Sequence, residues 1–453
     1  VNPHQDTIAA VATAPGNGAI SVLRLSGPEA FAIAGRVFRG PEGSPRTQIL
    51  GNLLDRDGSV LDHVLLTRFP GPRSYTGEDV VEISCHGGRV VTRAALRRLL
   101  EAGARPAQAG EFTQRAFLNG KMDLTQAEAV MDLISARTDH ALRSARRQLD
   151  GALGERIGSL RRDLIHVIAH VEAHLDFPEE DIAPDTANAL RVRISALSQA
   201  IDALRATADR GRWLRDGVAT VLCGAPNVGK SSLLNRLLGV ERAIVSESAG
   251  TTRDTIEEAI DLDGIPLRIT DTAGLRESTD PVEREGMART ERCLREADLI
   301  LELFDGHEPP PPPSGRVLFP DHAVRVRVLN KADLGLHPGW ETAFADDTPD
   351  TVTVAVSCRT GAGLDTLRAT MAARLPGLSG GDDLVSVNAR HARALDQAGV
   401  ALGEAALRLE QESPLELAAA DLRDALGHLD LILGKTDVEE ILDVVFGTFC
   451  IGK

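Results

Sequence analysis

No stretch of this chain approaches the roughly 20 consecutive apolar residues that a bilayer-spanning helix needs, so no membrane span is expected. The first residues include apolar ones but no basic region leading into a long apolar core, so no secretory leader is expected either. Excess positive charge is missing as well: the formal net charge is −16 at pH 7. Affinity for nucleic acid comes largely from neutralising phosphates, so this balance excludes a protein that coats a polyanion in bulk. Any RNA partner then requires a local basic patch or a basic partner protein. The best local stretch is residues 143–162, with Arg143, Arg146, Arg147, Arg156 and Arg161, although a solvated helix face is the plainer reading of it. Paired cysteine spacing of the metal-binding kind is absent. The five cysteines are scattered, and an odd, unpaired set fits a reducing cytoplasm. Cys450-Ile451-Gly452-Lys453 has the outline of a prenylation box, but Gly452 is not aliphatic and Lys453 is a poor terminal residue, so that reading fails.

What is present is a set of three motifs in order. Gly224-Ala225-Pro226-Asn227-Val228-Gly229-Lys230-Ser231 fits the phosphate-loop pattern G-x-x-x-x-G-K-[ST]. The apolar residues 218–223 before it read as a strand, and Leu233, Leu234, Leu237 and Leu238 after it share one helical face. Backbone N–H groups at such a strand-to-helix junction cradle phosphate oxygens. Lys230 would reach the terminal phosphates and the Ser231 hydroxyl would ligate magnesium.

Asn330-Lys331-Ala332-Asp333 follows the alternating Val324, Val326 and Val328. A carboxylate at Asp333 accepts from both the ring N–H and the exocyclic amine of guanine. Adenine lacks that donor pair and would leave the charge unpaired. A lone string of this kind is commonly a polar turn; its place after the phosphate loop favours guanine recognition. Ser357-Cys358-Arg359, after Val352, Val354 and Val356, is placed to support the base through backbone N–H groups.

A second absence lies inside the middle motif. Asp271-Thr272-Ala273-Gly274 follows Ile265, Leu267 and Ile269; Asp271 suits a water-mediated magnesium contact and the Gly274 N–H suits the terminal phosphate. Many GTPases carry a water-orienting glutamine directly after that glycine. Here the position is Leu275, which cannot hydrogen-bond a water. Either hydrolysis is slow or another group positions the nucleophile. Residues 275–284 are rich in candidates, though a solvated charged loop is the plainer reading of any one of them. Gly250-Thr251-Thr252-Arg253-Asp254 reads as a first switch, with Thr252 closing on magnesium. No arginine finger is evident. The side-chain carbonyl of Asn227, with the oxygen-rich residues 246–251, could hold a monovalent cation in its place. The alternative for Asn227 is a local bond to its own backbone.

The flanking segments are more specific than these motifs. They include Asp6-Thr7-Ile8, Arg24-Leu25-Ser26-Gly27, Tyr75-Thr76-Gly77-Glu78-Asp79, Cys85-His86-Gly87-Gly88, Gly110-Glu111-Phe112-Thr113-Gln114-Arg115-Ala116-Phe117 and Leu124-Thr125-Gln126-Ala127-Glu128. Leu175-Asp176-Phe177-Pro178-Glu179, Asn388-Ala389-Arg390-His391 and the Cys450–Lys453 tetrapeptide continue the series. With these segments the chain resembles, essentially end to end, the bacterial and organellar tRNA modification GTPases of the MnmE (TrmE) family.

The resemblance implies a potassium-activated GTPase that binds GTP/GDP and works as a homodimer, its G domains meeting across the nucleotides. It implies potassium held by Asn227, Ser246, Ser248 and Thr251, magnesium held by Ser231 and Thr252, and catalysis by Glu283, Lys230 and Asp271, with Glu283 orienting the water. Further nucleotide contacts would come from Val228, Gly229, Ser232, Glu247, Ala249, Gly250, Thr272 and Ala273. It also implies an MnmG-type FAD-dependent partner and modification of carbon 5 of the wobble uridine in certain tRNAs. A reduced folate (5-formyl- or methylene-tetrahydrofolate) would sit on Arg24, Glu82, Lys121 and Lys453.

The length suggests two to four domains. The expected fold is multidomain: an α+β N-terminal folate-binding and dimerisation domain (residues 1–119), an all-α helical domain in two parts (120–215 and 379–453), and an inserted α/β P-loop, Ras-like G domain (216–378). Strands are expected near 19–25, 64–69 and 80–85, and a helix near 90–100. Arg24 and Glu82 are charges inside apolar strands, for which solvent exposure is the plain expectation; the resemblance turns them toward a site. Asp123 with Gln126 resembles a capping arrangement, opening an apolar helical stripe from Leu124 to Ile168. A helix over 186–214, a linker over 377–383 and helix from Asn388 onward complete the plan. The run Pro309–Pro313 prevents a regular helix where this fold usually places one. Movement of the insert could be transmitted to the helices and the N-terminal dimer. A ribosome-assembly GTPase and a folate-dependent transferase with a regulatory G domain remain alternatives, and Cys450 reads equally as a catalytic thiol or a packed terminal residue.

Overall fold

The computed structural model describes residues 6–176, 187–240, 258–271, 292–311, 319–320, 322–343, 351–375, 385–411, 413–435, 445–447, 449–450 and 452. The N-terminal strands are β1 (Ile8–Val11), β2 (Ile20–Ser26), β3 (Phe38–Arg39), β4 (Ile49–Leu54), β5 (Val60–Phe69), β6 (Val80–His86) and β7 (Arg105–Pro106). They form one sheet in the order β3-β4-β5-β6-β2-β1-β7. Neighbours are antiparallel except β1 with β7. Side chains alternate across a strand. Leu23 and Leu25 therefore join Ile33, Val37, Leu66, Ile83 and Leu99 in a core under the helices Ala30–Val37 and Arg89–Glu101, while Arg24 projects from the opposite face.

The strands expected near 19–25, 64–69 and 80–85 and the helix near 90–100 are present, while β1, β4 and the helices Ala30–Val37 and Glu111–Leu118 had no reading in the sequence. β4 hides its alternation because Gly51 interrupts it. Gly51 lies where a Cβ would stand 2.4 Å from the Phe38 ring, a close approach that only glycine allows.

The helical stripe after Asp123 is three helices rather than one: Leu124–Ser135, Asp139–Leu149 and Ala152–Asp176. The first opens with a reciprocal cap. The Asp123 N–H donates to Gln126 Oε1 (3.0 Å) and the Gln126 N–H to Asp123 Oδ1 (2.9 Å). Thr138 Oγ1 accepts from the Ala141 N–H at 3.2 Å, and Gly151 turns with φ 96° before the third helix. Within the basic stretch, Arg161 pairs with Asp430 at 2.5 Å, so it is not part of a free solvated face. The helix expected over 186–214 is also divided, into Ala187–Arg205 and Ala208–Asp216, where the Thr207 hydroxyl turns back to Leu204 O (2.7 Å). Asn388 caps Ala389–Glu410 in a second reciprocal box with His391. That helix packs along Ala187–Arg205, bringing together the segments on either side of the insert.

The second sheet uses β8 (Val218–Gly224), β9 (Glu258–Leu262), β10 (Ile265–Asp271), β11 (Leu299–Asp305), β12 (Val324–Asn330) and β13 (Val352–Ala355). Its order is β13-β12-β11-β8-β10-β9, parallel except for β9. Leu222, Leu301, Val326 and Val328 pack against Leu233 and Leu237 of the helix Lys230–Val240 and Leu367 and Met371 of Leu364–Arg374. Between β11 and β12 the described residues, including Pro309 to Pro311, form no helix; 312–318 lie outside them. Among the described residues, no helix is long and apolar enough to cross a membrane.

Candidate guanine nucleotide site

Open parallel sheets bind ligands at the carboxyl ends of their strands. Here β8 ends in the phosphate loop, β11 in Asp305, β12 in Asn330, and β13 leads to Ser357. The loop turns tightly: Gly224, Asn227 and Gly229 have φ of 148°, 62° and 102°. A Cβ on Gly229 would lie 2.1 Å from Asn330 Nδ2, so glycine there admits the asparagine. Asn330, only 3% exposed, donates from Nδ2 to Val228 O at 2.8 Å and accepts at Oδ1 from the Cys358 N–H at 3.1 Å. It ties the phosphate loop to the segment after β13. Lys230 Nζ donates to Gly224 O (3.0 Å) and Ala225 O (2.8 Å), which holds the ammonium over its own loop. Ser231 and Ser232 open the following helix and are exposed.

Asp333 accepts from the Ser357 hydroxyl at 2.6 Å and pairs with Arg359 Nε at 3.0 Å. The Ser357 hydrogen bond first, and the Arg359 charge after it, hold the carboxyl below its ordinary range against some desolvation. Ser357 and Cys358 direct their own N–H groups to Ala362 O (2.9 Å) and Asn330 Oδ1 (3.1 Å). This segment therefore acts on the site through the Ser357 hydroxyl, rather than through those two N–H groups as expected. Lys331, at φ 65°, reaches Asp305 Oδ2 at 2.5 Å. Burial pushes the Asp305 carboxyl up, but the Lys331 bond and the His307 N–H hold it below the ordinary carboxylate range. Arg236 donates to Cys358 O and Arg359 O, both at 2.7 Å, fastening the base segment to the helix of the phosphate loop. Neither Asp305 nor Arg236 had been read from sequence. Their signals, an acid closing an apolar strand and a cation between Leu233 and Leu237, become legible only with the partners known.

The backbone of Asp271 closes β10 beside Leu222. Its side chain, and Ser246, Glu247, Ser248, Ala249, Gly250, Thr251, Thr252, Thr272, Ala273, Gly274, Glu283 and Lys453, lie outside the described residues.

In the N-terminal sheet, Arg24 and Glu82 are in-register partners on β2 and β6. Arg24 Nε and Nη2 donate to Glu82 Oε1 at 3.0 and 2.8 Å. Neither is a free solvated charge. Lys121 Nζ donates instead to Pro72 O at 3.0 Å. Arg115, 3% exposed, holds Asp6 Oδ1 (2.6 Å), Glu111 Oε1 (2.9 Å) and Glu78 Oε2 (3.2 Å). Cys450 is exposed, so it is not the packed residue; Gly452 is, since a Cβ there would lie 2.2 Å from Val11 O.

A phosphate loop and an ionised guanine-type carboxylate at the carboxyl edge of one parallel sheet define a P-loop GTP hydrolase. The family profile described as "GTP-binding protein TrmE N-terminus" matches residues 7–121, and "MnmE helical domain" matches 124–450. A tRNA modification GTPase MnmE from Akkermansia muciniphila is 48% identical, over 99% of both chains. Proteins of that name from Laribacter hongkongensis (45%, 99% of both chains) and Symbiobacterium thermophilum (44%, 99% of this chain and 100% of that one) are similar. The chain belongs to the MnmE family of tRNA modification GTPases.

Proposed function

We propose that this protein is a potassium-activated GTPase that, with an MnmG-type FAD-dependent partner and a reduced folate, modifies carbon 5 of the wobble uridine of certain tRNAs. The observation that carries the GTP part of the reading is Asp333, held by the Ser357 hydroxyl with its carboxyl below the ordinary range, on the segment that Asn330 ties to the phosphate loop. In this proposal Lys230 and the loop N–H groups take the phosphates, and Ser231 and Thr252 offer hard oxygens to magnesium. Asn227 with Ser246, Ser248 and Thr251 holds potassium. Glu283 orients the water that Leu275 cannot, and Asp271 supports the magnesium water shell. The exposed, left-handed Asn227 at the mouth of the loop supports the potassium assignment.

The donor set at Arg24 and Glu82 suits a folate: a guanidinium supplies donors and a carboxylate supplies acceptors to a planar amino-substituted ring. Lys121 and Lys453 belong to the same proposed site. The reduced folate would supply the one-carbon unit; the chain's residues bind and orient it. Leu50, 66% exposed, faces Leu65 across β4 and β5, and this apolar surface supports a homodimer through the N-terminal sheet. Domain boundaries at 1–119, 120–215, 216–378 and 379–453, and residence in the cytoplasm, complete the reading. The free thiols of Cys85, Cys223, Cys293, Cys358 and Cys450 support the latter.

Two measurements test it. GTP turnover is expected to rise markedly when potassium replaces sodium; equal rates in both salts would remove the cation from the mechanism. Mass analysis of tRNA nucleosides from cells lacking the chain is expected to show loss of the carbon-5 substituent at wobble uridine. An intact pattern would overturn the tRNA assignment.

A further inference from the structure

We propose that Tyr75 and Phe112 form an aromatic seat that fixes the Arg24 guanidinium for a folate-type ligand, which makes Tyr75 a positioning residue of that site. The inference rests on the folate reading of Arg24 and Glu82 given above.

An arginine side chain has large rotamer freedom, and a ligand that must freeze it loses affinity. Here the freezing is done in advance. Ala10, Arg24, Glu82 and Thr67 form one in-register row across β1, β2, β6 and β5. The small Ala10 beside Arg24 leaves room for larger groups on that face. Phe112 and Tyr75 belong to the apolar cluster with Ile8 and Ala10. The guanidinium carbon lies 5.2 Å from the Tyr75 ring centroid and 5.7 Å from that of Phe112, within cation–π range of both.

The Tyr75 ring is itself held at its far end. Its hydroxyl shares a hydrogen bond of 2.8 Å with Thr113 Oγ1, and Thr113 is fully buried. The loop carrying it is tied down through Thr76 to Ser26 (2.7 Å) and through Glu78 to Arg115 (3.2 Å). Glu82 uses two of the five guanidinium N–H donors. Among the described residues Nη1 makes no hydrogen bond, and the Arg24 side chain is 19% exposed, so in this proposal its free donors are the ones offered to acceptor atoms of the ligand.

The chain contains one tyrosine, so 3-fluorotyrosine labelling of the full-length protein gives a single fluorine resonance that reports this seat alone. With 5-formyltetrahydrofolate as the probe, that resonance is expected to shift saturably. Tyr75→Leu is expected to weaken binding about tenfold, in line with a desolvated cation–π contact. Tyr75→Phe, which keeps the ring, is expected to stay within about threefold. If the unlabelled wild type binds the probe and Arg24→Ala abolishes binding, yet the resonance does not move and Tyr75→Leu binds normally, the seat is overturned and the folate reading survives. If the wild type binds no probe, both fall. Should Tyr75→Leu misfold, the wild-type resonance and Tyr75→Phe still decide: an unmoved resonance overturns the seat.

Discussion

Asn330 reaches from the end of β12 to the Val228 carbonyl at 2.8 Å, joining two motifs that lie 102 residues apart. A residue expected to touch nucleotide thus acts on the protein as well, fixing where the phosphate loop stands relative to the base loop. Asn330→Ala would leave Val228 O and the Cys358 N–H without this partner. Each buried group left unmade costs about 1–3 kcal/mol of stability, and because the two loops must then be ordered on binding, nucleotide affinity should fall about tenfold. Titration calorimetry with GDP checks this. Gly229→Ala should weaken binding through the same joint, since its Cβ would collide with the Asn330 amide. Unchanged affinity in both variants would separate the joint from binding.

Asp333→Asn replaces a pure acceptor with a group that also donates. GTP affinity should drop by about 10- to 100-fold, the range for a charge-assisted hydrogen bond. Xanthosine triphosphate, with a carbonyl where guanine carries its amine, should gain affinity over GTP. Because the Asp333 carboxyl lies below its ordinary range, it stays ionised as pH falls toward that range. GDP affinity of the wild type should therefore be flat between about pH 8 and 5 as far as this group is concerned. Competition of the two triphosphates against a fluorescent GDP analogue reads the first effect.

Glu283→Ala should bind GTP with unchanged affinity and lose turnover. A single-turnover assay in potassium, paired with equilibrium binding, separates the two. Full turnover would take Glu283 out of the proposed mechanism and leave the role of the missing glutamine to another group.

Arg115 neutralises Asp6, Glu78 and Glu111 from a nearly buried position. Without Arg115, Asp6 and Glu111 keep Arg105 but, among the described residues, Glu78 keeps only the Ser26 hydroxyl, a cost toward the low end of the about 3–5 kcal/mol for a broken buried pair. Arg115→Met should therefore lower the denaturant midpoint of the N-terminal unit, read by the single Tyr75 fluorine signal. The pH sign follows from the carboxyls. Burial raises Asp6 and Glu111, but hydrogen bonds from Arg105 and Arg115 leave both below their ordinary values. Groups depressed in the folded state contribute stability that is complete above the unfolded carboxylate pKa and is lost as pH falls through the folded one. The wild-type unit should lose stability below about pH 4, and Arg115→Met should show a weaker acid dependence.

The nucleotide motifs were legible because each is contiguous and each follows a visible strand signal, an apolar run at 218–223 and alternation at Val324, Val326 and Val328. The two reciprocal caps, Asp123 with Gln126 and Asn388 with His391, are also local; the first was read and the second was not. The helix breaks at Thr138 and Thr207 were missed because apolar periodicity runs on through a capping residue. β4 was missed because Gly51 serves Phe38 rather than the strand pattern.

By itself the order of amino acids determined the ligand class, the strand-and-loop frame and the leucine where a glutamine was wanted, since these depend on neighbours along the chain. Only the tertiary structure decided that Asn330 bolts two loops together, that Lys331 answers Asp305, and that Arg24 lies between Glu82, Tyr75 and Phe112. Those pairings join positions far apart in sequence. Their energies exist only after strand register and burial have set the distances.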